Sequence, residues 1–355
     1  MSLSPSQALE MLRSDDLIGV GMEADAVRKR LHLGNVVTYQ VDRNINYTNF
    51  CTEYCSFCAF YRPMGSAEGY VQPFESICQK IDETLALGGT GILMQGGLHR
   101  DLKIDYYENL LSSLKQRYPQ LHLHCFSAPE ILNIAEVSGL TIRGTIARLM
   151  AAGLDSIPGA GAEILDDEVR HHIARLKCNT EEWLAVHRIA HKLGLRTTAT
   201  MMFGCGEELR HRVNHLERIR QIQEETGGFT AFIPWIFAAE NTALGKKVQE
   251  TTAVDYLKTL AVSRLYLGNI DHIQSSWLTP GIKVCQIGLQ FGADDVGSIL
   301  IEENVVFAAG VKRRTNEEEL RRIITDAGFM PAQRDTLYRS YALKSPYPPA
   351  RSQAA

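Results

Sequence analysis

From residue 36 onward, short runs of strand-forming residues alternate with longer amphipathic stretches eight times over, and few folds accept that order. The strand candidates are 36–41, 91–95, 121–126, 154–158, 196–202, 229–235, 272–277 and a weaker eighth at 293–300. Helical periodicity marks 74–87, 106–117, 180–193, 208–226 and 252–267. In the last of these, Val254, Leu257, Ala261 and Leu265 share one face, a packing stripe. Such alternation builds parallel units, and 355 residues is long for one core unless it is a barrel with end pieces. The expectation is an α/β protein: a (β/α)8 TIM-type barrel over 36–312. Residues 1–35 are expected to form one or two helices starting at Ser4-Pro5. Residues 313–344 read as a C-terminal helical extension, opened by Thr315 with Glu318 three residues on. The Pro-rich end, 345–355, reads as a disordered tail.

Barrels of this kind collect chemistry at the C-terminal ends of their strands. The loop after the first strand carries Cys51-Thr-Glu-Tyr-Cys55-Ser-Phe-Cys58, three thiols within eight residues. Two metal readings follow from these residues. A structural zinc ion wants four ligands, so His32 or a distant cysteine would have to complete it, and the spacing is not the two-plus-two pattern of zinc sites. A cubane iron–sulfur cluster takes four thiolates when complete, so three leave one iron open to a small molecule. A disulfide framework fits less well. The other cysteines, Cys78, Cys125, Cys178, Cys205 and Cys285, are isolated, and no signal-peptide pattern follows Met1, which suits a reducing cytoplasm.

Composition narrows the partners. A hydrophobic content of 45% and a charged content of 22% are those of a globular protein, and no apolar run reaches the roughly 18 residues that span a bilayer. A net charge of −4 without a long Lys/Arg block argues against nucleic acid. The expected partner is a small molecule, with no membrane and no nucleic acid.

The other strand ends supply the remaining candidates. Gln95-Gly96-Gly97 follows the second strand, and paired glycines let a backbone come close to a ligand. Ser127 and Glu130 follow the third, with Glu130 suited to capping the next helix. After the fourth comes Gly159-Ala-Gly-Ala-Glu163, where Glu163 can also be read as a solvated carboxylate at a helix start. Thr198, Thr200 and Met202 share one face of the fifth. Phe232, Trp235 and Phe237 sit in or beside the sixth. His99, Asp101 and Asp294 are candidate proton carriers, as are His122, His124 and Glu302.

The cysteine loop, with Phe57 just before its last thiol, resembles the cluster loop of the radical S-adenosylmethionine superfamily. Five further runs carry a narrower resemblance, from about residue 35 to 340, to the cyclic dehypoxanthine futalosine synthases of the futalosine route to menaquinone. They are Val41-Asp-Arg-Asn-Ile-Asn-Tyr-Thr-Asn49, Cys58-Ala-Phe-Tyr-Arg62, Gln95-Gly-Gly-Leu-His99, Gly227-Gly-Phe-Thr-Ala-Phe-Ile-Pro-Trp235 and Gln333-Arg-Asp-Thr-Leu-Tyr338. The resemblance implies a 4Fe–4S cluster on Cys51, Cys55 and Cys58 and S-adenosyl-L-methionine on its open iron. It assigns Phe57 to the adenosyl group, the backbone of Gln95, Gly96 and Gly97 to the methionine amino group, and Ser127 and Glu163 to ribose or amino contacts. It further implies that a 5′-deoxyadenosyl radical takes hydrogen from C4′ of dehypoxanthine futalosine, whose carbon radical then closes on the benzoate ring. Loss of a proton and an electron then restores aromaticity, and a base is required for the proton. An electron donor such as flavodoxin or ferredoxin would serve it. The superfamily also contains six-unit partial barrels; eight units favour the full one. Aminofutalosine synthase and the deazaflavin-forming synthases are the neighbouring alternatives. Ala160 stands where three successive glycines are expected, which matters only if that position needs positive φ.

Overall fold

All eight strand candidates form, and the barrel takes them in chain order. The computed structural model describes residues 3–343. The strands are β1 (Val36–Gln40), β2 (Asn44–Ile45), β3 (Gly91–Met94), β4 (His122–Cys125), β5 (Ser156–Ile157), β6 (Arg196–Phe203), β7 (Phe229–Ile236), β8 (His272–Ile273), β9 (Asp295–Ser298), β10 (Met330–Arg334) and β11 (Tyr341–Leu343). Strands β2 to β8 form one parallel sheet in sequence order, and β9 pairs in parallel with β1. The ring closes through β9, because Ser275 N–H donates to Asp295 O (2.8 Å) on one side while Thr38 N–H donates to Asp294 O (3.0 Å) on the other. The first strand of the barrel is thus a bent one, β1 running through residues 41–43 into β2.

Alternation along that bent strand decides what faces the interior. Val37, Tyr39, Val41, Ile45 and Tyr47 are buried beneath the surrounding elements. Gln40, Asp42, Asn44 and Asn46 line the barrel cavity. Helices Phe74–Ala86, Ile104–Arg117, Thr180–Lys192, Leu209–Thr226 and Ala253–Tyr266 lie where periodicity put them. The last is buried along much of its length, Tyr256, Leu260, Ala261 and Tyr266 included, because the N-terminal helices cover it. Those two helices, Pro5–Arg13 and Leu17–Leu31, pack against Leu209–Thr226 and Ala253–Tyr266. Ser4 caps the first and Pro5 occupies its first turn, where a missing N–H costs nothing.

The C-terminal extension is only partly helical, which corrects the expectation. Helix Glu317–Asp326 forms, but its cap is Asn316, whose side chain accepts from Glu319 N–H at 2.8 Å, rather than Thr315. The chain then turns into β10, parallel to β1, and β11, antiparallel to β10. Below the point where β2 meets β3, β1 would otherwise present an unpaired edge. β10 covers it. The expected tail, 345–355, lies outside the described residues. Among those described, no helix is long and apolar enough to cross a membrane.

Candidate active site

One cavity of about 430 Å³ occupies the barrel, and the cysteine loop sits at its mouth. The loop is held by backbone bonds from several directions: Cys51 N–H to Arg62 O (2.9 Å), Gly97 N–H to Thr48 O (3.0 Å), Ser56 N–H to Ile173 O (2.9 Å) and Leu244 N–H to Ser56 O (2.9 Å). Cys51, Cys55 and Cys58 all line the cavity. Burial pushes the thiols of Cys51 and Cys55 up, the nearby Lys177 offsetting this only in part. Metal capture by these residues therefore releases protons.

Gln95, Gly96 and Gly97, at the end of β3, wall the cavity beside the loop. Close approach explains the second glycine: a Cβ at Gly97 would stand 2.1 Å from Phe50 O. Gly96 N–H donates to Glu130 Oε1 (2.9 Å). The same buried carboxylate accepts from Tyr47 Oη (2.8 Å), Ser127 N–H (2.8 Å) and Ser127 Oγ (2.6 Å). Glu130 caps its helix, as expected, and also ties that helix to Tyr47 and to the Gln95–Gly97 turn. Ser127 lines the cavity, but its hydroxyl proton is committed to Glu130, so toward a ligand it acts as an acceptor.

Glu163 is buried and opens no helix; the solvated helix-start reading does not hold. It has φ +42° and its carbonyl takes Met202 N–H at 3.0 Å. Its Oε1 pairs with Lys177 Nζ at 2.8 Å, and Oε2 has no hydrogen-bond partner. Burial disfavours the Lys177 charge, yet Glu163 and the neighbouring Cys55 together outweigh it and hold the ammonium well above the usual lysine range. Lys177 also lies 5.2 Å from the centre of the Phe57 ring, so a cation, a carboxylate and an aromatic meet beside the cysteines. Glu53, inside the loop, likewise lines the cavity with Oε2 unpartnered. Gly161 has a positive φ (+83°) and Ala160 does not, so alanine is unstrained there.

Of the six proton-carrier candidates, His124 lines the cavity, whereas His99, Asp101, His122, Asp294 and Glu302 do not, which corrects the expectation for those five. His99 accepts Asp101 N–H at Nδ1 (3.2 Å) and packs edge-on against Phe50, behind the loop. Asp101 is exposed. Asp294 precedes β9, at the end of the barrel opposite the cysteines. Burial favours its neutral form, but the Arg264 guanidinium and His272 outweigh burial and hold Asp294 well below the usual carboxylate range. Thr198, Thr200 and Trp235 do line the cavity; Met202 does not. Lys177 was missed because nothing in the loop before the Asn179 cap marks it. Asp42 and Asn44 carried a signal, the period-two run of polar residues from Gln40 to Asn46.

Comparison with known proteins places this geometry. The Radical SAM superfamily model matches residues 45–219, and the CofH/MqnC C-terminal region matches 226–346. The cyclic dehypoxanthine futalosine synthase of Halalkalibacterium halodurans is 47% identical over 336 residues, covering 95% of this chain and 90% of that one. The chain belongs to the radical SAM superfamily. The synthase of the same name from Streptomyces coelicolor is 45% identical, covering 95% and 85%. A 5-amino-6-(D-ribitylamino)uracil–L-tyrosine 4-hydroxyphenyl transferase from Methanococcoides burtonii is 42% identical, covering 89% and 90%. Methylornithine synthase shares the fold, with a TM-score of 0.71 at 19% identity over 94% of this chain and 95% of that one. So does the FeFe-hydrogenase maturase of Carboxydothermus hydrogenoformans, at 0.73, 17% identity, 96% and 78%.

Radical SAM proteins bind a 4Fe–4S cluster and S-adenosyl-L-methionine, and this chain is an enzyme of that kind. The residues fit both groups. Three thiols on one loop leave the fourth cluster position to a ligand. The unpaired oxygens of Glu53 and Glu163 offer acceptors, without donors of their own, to an ammonium or to ribose hydroxyls.

Proposed function

We propose that this enzyme cyclises dehypoxanthine futalosine to cyclic dehypoxanthine futalosine in menaquinone biosynthesis. The observation that carries it is end-to-end identity of 47% and 45% with two synthases of that name, above the 42% shared with the transferase. When bound, the cluster and S-adenosyl-L-methionine supply the electron and the 5′-deoxyadenosyl radical that removes hydrogen from the substrate, with a flavodoxin or ferredoxin as reductant.

The chain's own residues position and shield. Cys51, Cys55 and Cys58 hold the cluster; Phe57, the Gln95-Gly96-Gly97 turn, Ser127 and Glu163 hold S-adenosyl-L-methionine. Lys177 fixes the Glu163 carboxylate so that one oxygen stays available. Trp235, Trp277 and Ile233 give the cavity apolar walls, which exclude water from a reactive carbon and hold an aryl ring near it. His99, Asp101 and Asp294 do not touch the cavity and are not assigned to proton transfer.

The test is turnover under anaerobic conditions with dehypoxanthine futalosine, S-adenosyl-L-methionine and a reductant. The expected products are methionine, 5′-deoxyadenosine and a cyclised product with two hydrogens fewer than the substrate, one carried off in 5′-deoxyadenosine and one lost as a proton with an electron. Deuterium placed at C4′ is recovered in 5′-deoxyadenosine. Adenosyl joined covalently to product would favour aminofutalosine synthase chemistry instead. Consumption of tyrosine with 5-amino-6-(D-ribitylamino)uracil would favour the transferase reading.

A further inference from the structure

The column of inward residues on the first strand is polar from Gln40 to Asn46, and its members differ in one respect. Gln40 is satisfied at both ends, donating to Thr336 Oγ1 (2.9 Å) and accepting from Arg334 Nη1 (2.8 Å). Asn46 is satisfied too, donating to Gln95 O (3.2 Å) and accepting from Asn304 Nδ2 (3.2 Å). Between them, Asp42 Oδ1 and Asn44 Oδ1 have no partner, although the residues are only 8% and 3% exposed. Asn44 cannot present its amide N–H₂ instead, because Nδ2 donates to Glu303 Oε2 at 2.7 Å. Glu303 is itself anchored, its Oε1 accepting from Val305 N–H (2.9 Å) and Val306 N–H (3.1 Å). Buried polar atoms are nearly always paired, so two adjacent unpaired acceptors on a cavity wall call for a ligand that brings donors.

We propose that Asp42 and Asn44 form a hydroxyl-recognising subsite that binds the pentose-derived part of the substrate through two hydroxyl donors. A carboxylate is kept out by the same atoms, since Asp42 and Glu303 face that part of the cavity and the nearby guanidinium of Arg334 is already taken by Asp295. The inference rests on the proposed function only in requiring a hydroxylated pentose group on the substrate. It concerns a wall separate from Glu53, Glu163 and Lys177, which serve S-adenosyl-L-methionine.

The experiment is anaerobic titration calorimetry of the cluster-loaded enzyme without reductant, so that binding is read and turnover is not. Dehypoxanthine futalosine and S-adenosyl-L-methionine are titrated separately. Asp42→Ala and Asn44→Ala are each expected to weaken dehypoxanthine futalosine by about tenfold or more, the usual cost of a lost hydrogen bond to a buried polar partner. Affinity for S-adenosyl-L-methionine is expected to stay within about twofold. Asp42→Asn, which keeps an acceptor oxygen, is expected to recover most of the loss. Unchanged substrate affinity in both alanine variants overturns the subsite, as does equal weakening of both ligands, which would mean a general packing defect. If the wild type ignores dehypoxanthine futalosine but binds 5-amino-6-(D-ribitylamino)uracil, the proposed function falls and the subsite is judged on that compound in the same variants. If it binds neither, both fall.

Discussion

Cys51, Cys55 and Cys58 share one loop, and no other cysteine lines the cavity. Each single alanine replacement is therefore expected to abolish the cluster, read as loss of bound iron and of the visible absorption of the reconstituted protein; iron retained at the wild-type level in any of the three refutes the assignment. Asp42 makes a different kind of prediction. Burial pushes its carboxyl up to about 6 from 3.8, against the pull of Ser298 and Arg334 and with support from Asp295 and Glu303. A carboxyl whose value is raised on folding adds stability that is complete below its unfolded value and disappears as pH rises through the folded one. The wild type should thus lose stability relative to Asp42→Asn between about pH 4 and pH 6 and stay behind it at pH 8. Two units correspond to at most about 3 kcal/mol. Denaturant midpoints of the two proteins at pH 5 and pH 8 measure it, and a constant difference would refute it.

β10 is the element that joins the C-terminal segment to the site. Arg334, at its end, binds Asp295 bidentately (Nε to Oδ2 2.5 Å, Nη2 to Oδ1 3.1 Å) while its Nη1 holds Gln40. One side chain therefore locks β10 to β9 and β1 around a buried carboxylate that also takes Thr38 Oγ1 and Gly297 N–H. Arg334→Ala strands that charge and is expected to cost about 3 to 5 kcal/mol in urea unfolding. Arg334→Lys should rescue little, because an ammonium cannot make the two parallel bonds. A loss below about 1 kcal/mol would show that the pair contributes no more than an exposed one. Beyond it, Tyr338 stacks on His272 with ring centres 3.8 Å apart, and Tyr338, in the segment after β10, forms part of the cavity wall.

For the whole molecule, the barrel and the cluster loop have separable sources of stability. The core is formed by apolar residues from the strands and the packed helices, whereas the loop is fastened at the mouth by a handful of backbone bonds. Chelating the iron should lower the melting temperature, since a ligand that binds only the folded state stabilises it by mass action. It should leave far-ultraviolet circular dichroism and a cooperative transition intact. Collapse of that transition on iron removal would mean the metal holds the fold together, as in small zinc domains.

Period-two and period-3.6 patterning was enough to read eight parallel units and the five long amphipathic helices between them, because each such element must bury one face and its spacing records which. Helices such as Ala128–Ser138 and Ile142–Ala152 were not marked. The cysteine triplet was equally plain, since ligand type and spacing are local. Tertiary structure decided the rest. β10 is five residues long and pairs with a strand almost 300 positions earlier, a contact to which no local pattern points. Lys177 reaches Glu163 and Phe57 only because the loop after helix Asp167–Ile173 folds back over the cavity. His99 and Asp294 lie close to the right strands, yet one turns behind the cysteine loop and the other sits at the far end of its strand. Sequence spacing identifies which strand a residue belongs to. Whether its side chain meets the cavity or an arginine depends on the neighbours that the fold brings to it.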